Sequence, residues 1–299
     1  MAAPGWFWIA FVIFAAAGQT GRNMVQRELM VPLGPWGATN VRFLWGAPFA
    51  MLFLLGVHLV QHQALPHPAN NFWFWILAGS LGQIFGTGLM LMMMEMRSFV
   101  VATAYIKIEP VFVALFGAIF LADALTLPML AAILITIAGV FVLSFKPGAD
   151  YADTRAALVG TGSGLAFAVA AIGFRGAILS LHMPDYVMSA TYTLATGLII
   201  QAVMLTGWLA LRDPASLRAT MRLWKPSLLG GFLGALASEF WFLGFALTSA
   251  ANVRTLGLID VIFAQGVSSF VHHHVTTRRE YLGIAILLAG AILLVAVHH

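Results

Sequence analysis

The chain contains no cysteine and very little charge: 15 basic and 11 acidic residues among 299, or 9% in all. Without thiols there is no disulfide, no thiolate metal site and no cysteine nucleophile. Soluble domains carry about 25% charged residues, so this composition excludes an ordinary water-soluble globule. No polar stretch is long enough for a separate aqueous domain. No basic segment precedes the first apolar run and no small-residue cleavage site follows Ala17, so that run is expected to be retained. There is no glycine-rich phosphate loop, which argues against ATP-driven work by this chain. No basic stripe interleaved with aromatics appears, so the net charge of +4 does not point to nucleic acid. What fills the chain instead is 61% hydrophobic residues, with a mean hydropathy of +0.93. That is the composition of an all-α polytopic membrane protein.

Crossing the hydrocarbon core takes about 20 mostly apolar residues. Ten such segments are expected, over 5–28, 36–57, 72–94, 99–121, 127–145, 157–180, 186–209, 226–247, 252–272 and 280–297. Breaker-rich gaps separate them, among them VPLGP, LPHPANN, DALTLP, KPGADYADTR, LHMPD, RDPASLRATMRLWKP and HHHVTTRRE. Trp6, Trp8, Trp36, Trp73, Trp75, Trp208 and Trp224 fall near the expected ends, as an interfacial belt requires. Displacing the sequence by 151 residues sets 95–145 on 246–296 without a gap, with Glu109 on Asp260, Phe112 on Phe263 and Gly139 on Gly290. Glycines 79, 82 and 86 and glycines 230, 231 and 234 give small faces to two segments, and at a displacement of 152 Gly79 and Gly82 fall on Gly231 and Gly234. Five helices per half imply two copies that enter the membrane in opposite senses, with a site between them near the midplane. The halves are expected at 1–147 and 156–299.

The segments GATNVRFLWGAPFA with Arg42, KIEPVFVALFGAIFLADALTLP with Glu109-Pro110, and the AGVFVL and AGAILL ends resemble EamA-type members of the drug/metabolite transporter superfamily. The resemblance covers essentially the whole chain as two EamA-like halves. It implies a ten-helix inner (plasma) membrane carrier working by alternating access, with exporters of amino acids, metabolites or drugs among its members. It brings no cofactor, and no enzyme activity is expected. The second half departs from the pattern, with no proline after Asp260 and no counterpart of Arg42.

Charge inside a bilayer is costly and normally faces a bundle interior or a wet cavity. Gln19, Arg22, Asn23 and Gln26 are spaced i, i+3, i+4, i+7 and so share one stripe of the first helix. Arg175 in AAIGFRGAIL aligns with Arg22 at a displacement of 153, which puts two arginines at related positions. An arginine fork matches a carboxylate geometrically, so Arg22 and Arg175 are candidates to face the pathway and bind an anionic group. Both also lie close enough to helix ends to snorkel to headgroups. Lys107 and Glu109, two residues apart on a regular helix, point away from each other and cannot both face one cavity. Glu109-Pro110 opens a kink, so Glu109 reads as structural or as a proton site; Asp260 and Arg42 stand with them as coupling or structural charges. Glu239 in GALASEFWFLG has no acidic counterpart in the first half, which makes it a candidate for coupling or for a cationic group. Arg254, in the first turn of its helix, is compatible with the interface. His272, His273 and His274 diverge around a helix and do not form a metal site.

Ten basic residues fall on one side of the expected topology, and the positive-inside rule then places both termini outside the cytoplasm; the family resemblance implies the opposite. The expected function is secondary transport of small organic metabolites, amino-acid-like or anionic to zwitterionic, driven by a proton or substrate gradient, with export implied by the resemblance. The alternatives are a cationic-drug efflux carrier and a polytopic enzyme acting on lipid-linked substrates. The enzyme would gather its charges at an interfacial cleft, the carrier between the halves.

Overall fold

A computed structural model describes residues 4–96, 105–144, 154–271 and 277–298. The described residues are nearly all helical, with no strand: α1 Phe7–Leu44, α2 Ala47–Gln61, α3 Asn70–Met96, α4 Glu109–Phe120, α5 Leu127–Ser144, α6 Thr154–Ser180, α7 Tyr186–Arg212, α8 Pro214–Arg222, α9 Trp224–Leu247, α10 Ala250–Leu256, α11 Asp260–Val271 and α12 Arg278–His298, with a 3-10 turn Gly257–Ile259 between α10 and α11. The starts follow local chemistry. Asp185, Asp213 and Ser249 cap α7, α8 and α10 by accepting from the third residue beyond. Thr277 and Glu280 form a reciprocal capping box before α12. Pro110 and Pro214 sit in the first turns of α4 and α8, where a missing N–H costs nothing.

Six stretches are long and apolar enough to cross a membrane, and the first of them, Phe7–Gln61, has 55 residues. At 1.5 Å per residue that is more than twice the hydrocarbon thickness. The chain therefore turns back inside it, and VPLGP is where it does so. Gly34, between Pro32 and Pro35, takes φ +67° and ψ 172°, which breaks the helical path. Three contacts establish the reversal. Gln26 Nε2 donates to the carbonyl of Ala38, twelve residues on, at 3.0 Å. Val25 and Val41 both approach Gly230, and Arg22 and Arg42 both approach Gly234. On a straight helix these partners would lie roughly 18 to 30 Å apart. The expected gap between the first two segments is thus a turn about one glycine.

Other expectations are corrected. RDPASLRATMRLWKP, read as a loop, contains the helix α8, which lays Ser216 against the turn: its Oγ donates to the Leu33 carbonyl at 2.8 Å. Trp8 is 1% exposed and so packs inside the bundle, and Trp36 packs between Phe85 and Trp208. The expected breaks around residues 97–99 and 146–153, and the triplet His272, His273 and His274, lie outside the described residues.

Glycines set the closest crossings. A Cβ on Gly79, Gly82 or Gly86 of α3 would strike Phe174, Ala166 and Ala170, or Phe167 of α6. On α9, Gly231 and Gly234 likewise admit Trp45, Arg42 and Arg22 of α1 and its turn into α2. Gly139 of α5 and Gly290 of α12 let those two helices touch through Leu287 and Thr136. Small residues allow this close approach where lipid supplies no hydrophobic drive for association. Large apolar side chains such as Val31, Phe74, Leu127, Val203, Leu211 and Ile292 point outward instead, as a lipid-facing surface does.

Candidate functional site

The hairpin of α1 decides where the polar residues meet. It folds Arg22 and Arg42, 20 residues apart in sequence, onto the same point of α9: a Cβ at Gly234 would lie 3.0 Å from Arg42 Cγ and 3.5 Å from Arg22 Cδ. The two side chains are 2% and 4% exposed. The hydrogen-bond partners of the Arg42 guanidinium among the described residues are neutral. Nη2 donates to Ser238 Oγ at 3.0 Å and Nη1 to Thr87 Oγ1 at 3.4 Å. The Gln83 amide, with its oxygen toward the arginine, accepts from Nη1 at 2.7 Å and Nη2 at 2.9 Å. The Arg42 Nε hydrogen has no acceptor among the described residues. Arg22 is served less well: Nε and Nη2 both donate to Asn23 Oδ1, at 3.2 and 2.7 Å, and buried Nη1 has no partner among the described residues.

A small cavity adjoins Arg42. Gln83 of α3, Leu194, Gly197, Leu198 and Gln201 of α7, Phe174 of α6, and Ser238 and Phe242 of α9 complete its wall. Phe174 and Phe242 stand face to tilted face at 4.7 Å. The cavity therefore joins one guanidinium, two amides and a hydroxyl to a pair of aromatic rings, a combination that orients a small organic molecule by its polar end. Thr191, one turn before Leu194 on α7, donates its Oγ1 hydrogen to Oε1 of Glu239, the residue after Ser238 on α9, at 2.5 Å, and Glu239 Oε2 is buried without a partner among the described residues.

The remaining embedded charges neutralise one another between the first and second halves of the chain. Lys107 Nζ is 2.6 Å from Asp260 Oδ2. Arg254 grips Glu109 with two bonds, Nε to Oε1 at 2.5 Å and Nη2 to Oε2 at 2.7 Å, and its guanidinium carbon lies 4.7 Å over the Trp241 ring. Gln19 Nε2 adds a bond to Asp260 Oδ2 at 3.0 Å. Two expectations fail here. Lys107 and Glu109 do engage neighbouring groups on one partner segment, because residues 107–108 form a turn and α4 starts only at Glu109; regular-helix geometry does not apply across it. Arg254 is not interfacial but ion-paired in the interior.

Arg175 is far from Arg22 in role. Its Nη2 bonds Asp123 Oδ1 at 3.1 Å, and its Nη1 donates to the carbonyls of Phe245 and Thr248. It ties the α4–α5 connection to the end of α9. Gln26 holds the α1 hairpin. The structure thus brings Arg22, Asn23 and Arg42 together, ties Gln19 to the Lys107–Asp260 pair, and sets Gln26 and Arg175 to bracing. Gln83, Thr87, Gln201 and Ser238 went unnoticed from sequence; the i, i+4 spacing of Gln83 and Thr87 among the α3 glycines was the available signal. No group of three His, Cys, Asp or Glu able to hold a metal occurs among the described residues.

The model of the EamA-like transporter family matches residues 6–145, nearly half of the chain. The chain carries an EamA-like transporter domain. Its place in the drug/metabolite transporter superfamily, expected from the sequence motifs, rests on that match. The match suggests a membrane transporter of small molecules. No curated protein matches. One crystal structure, described only as "Crystal structure of protein", superposes with a TM-score of 0.66 over 94% of this chain and 98% of its own, at 16% identity. At that identity the likeness speaks for fold alone, and it extends through the second half as well.

Proposed function

We propose that this EamA-like protein is a secondary carrier of small organic metabolites in the inner (plasma) membrane. Its substrates are anionic or zwitterionic and amino-acid-like. It works by alternating access between two five-helix halves of opposite orientation, residues 1–147 and 156–299. The reciprocal crossings, α1 on α9 and α6 on α3, support that architecture, as does the meeting of α5 with α12 at glycines that align at a displacement of 151. The observation that carries the substrate reading is Arg42: a buried guanidinium held by neutral groups at the edge of a cavity, with no acidic partner among the described residues. An unpaired buried cation is unstable enough to demand a counter-charge, and a carboxylate entering the cavity supplies it. Gln83, Ser238 and Thr87 hold the fork in place, and Phe174 and Phe242 take the apolar part of the substrate. Glu239, the residue after Ser238, suits the ammonium of an amino acid. A gradient of substrate or protons drives the cycle, and export is the direction the family resemblance implies.

The ion pairs Lys107–Asp260 and Glu109–Arg254 join the first half of the chain to the second, which favours the carrier reading over the enzyme. Counterflow in proteoliposomes tests the proposal. Vesicles preloaded with one carboxylate or amino acid should accumulate the labelled compound, and Arg42→Gln should abolish this while Arg42→Lys retains part of it. Accumulation confined to cationic compounds, and indifferent to Arg42→Gln, would replace this reading with cationic-drug efflux.

A further inference from the structure

The fold contains its own standard for a structural arginine. Arg254 has a bidentate carboxylate and an aromatic face. Arg175 has a carboxylate and two main-chain carbonyls. Both are satisfied by fixed groups of the protein. Arg22 meets none of these conditions. It is 2% exposed, and among the described residues its one hydrogen-bond partner is the adjacent Asn23 and Nη1 has no acceptor. It also lies within electrostatic reach of Arg42, whose stem flanks the same glycine. Lys107, Arg254, Glu109 and Asp260 cancel in pairs, so the α1–α9 seam retains two positive charges beside each other. Two buried like charges repel, and one monovalent anion would offset only half of the excess.

We infer that the substrate carries two anionic groups, one bound by Arg42 in the cavity and one by Arg22 beside Gly234, and is therefore a dicarboxylate. This rests on the carrier reading above and narrows it. Two forks whose stems meet at one glycine suit two carboxylates joined by a short chain. A phosphate monoester concentrates its charge on one centre and fits one fork. Gly234 belongs to the site because any side chain there would wedge between the two stems.

The test compares probes of nearly equal size that differ by one charge: succinate against succinamate, and glutamate against glutamine. Each is titrated against the full-length protein in lipid nanodiscs, with thermal unfolding as readout. The member of each pair with two carboxylates should bind at least about tenfold more tightly, the value of one charge-assisted fork. Arg22→Gln should bring succinate and glutamate down to the affinity of their amides and leave the amides unchanged. Equal binding of acid and amide, or an Arg22→Gln variant that weakens both alike, overturns the inference while leaving the single-carboxylate reading in place. Tighter binding of phenyl phosphate than of succinate overturns it in favour of a one-centre dianion. If none of these probes binds at any concentration, the inference falls together with the anion-carrier reading.

Discussion

Each buried charge in this protein is defined by what faces it, and the contrast between satisfied and unsatisfied arginines gives the sharpest expectations. Arg22 and Arg42 occupy one flank of α9 as like charges, and among the described residues neither is hydrogen-bonded to an acid. Removing one of them relieves repulsion. Arg22→Gln should therefore raise the unfolding temperature of the ligand-free protein, followed by tryptophan fluorescence in nanodiscs, although it removes hydrogen bonds to Asn23. Functional sites commonly carry such a stability cost. A fall in unfolding temperature would mean that Arg22 has a fixed counter-charge. Arg175→Gln should behave in the opposite way, because it strands partly buried Asp123 and frees two carbonyls; the loss should approach the roughly 3 kcal/mol of a broken buried pair. The stripe from Gln19 to Gln26 was legible in sequence as a polar face. The division of labour within it was not, since Gln26 bonds a residue beyond the hairpin and Gln19 one on α11.

At the scale of elements, hydrophobic runs and breakers located most helices well, because a lipid environment rewards every uninterrupted apolar stretch. The failures have local causes. α8 was missed as a helix because only nine residues separate its ends, although Asp213-Pro214 is a start signal. Lys107 and Glu109 were assigned opposite faces because a continuous helix was assumed through a turn. The meeting of Arg22 with Arg42 depends on the register of the α1 hairpin, and Gly34 fixes that register. Its φ of +67° with ψ of 172° lies in a region that residues with a Cβ rarely enter. Space is not the obstacle, since nothing lies within 4 Å of a Cβ built there. Gly34→Ala should thus cost about 1–3 kcal/mol through backbone strain alone. It should weaken anion-induced thermal shifts more than it lowers the unfolding temperature in their absence, because relaxing the turn moves the two guanidiniums apart. Equal unfolding temperatures and equal ligand shifts in Gly34→Ala and the parent protein would show that the hairpin does not need this backbone conformation.

Across the whole molecule, two ion pairs run between the first half of the chain and the second, with Lys107 on Asp260 and Glu109 on Arg254. If transport requires the halves to rock against each other, these contacts open and close in each cycle, and fixing them in place should stop it. The chain is suited to that experiment because it has no cysteine of its own. Lys107→Cys with Asp260→Cys removes both members of a buried pair together, which avoids the cost of a stranded charge. The reduced double variant should fold and support counterflow. A short reducible thiosulfonate cross-linker between the two positions should then abolish counterflow, while the thermal shift with succinate persists, because the Arg22–Arg42 site lies on α1 and α9 rather than on the joined elements. Reductant should restore transport. Undiminished counterflow after complete cross-linking would mean that α4 and α11 travel as one body, and the moving seam would then have to lie where α6 meets α3 or α1 meets α9.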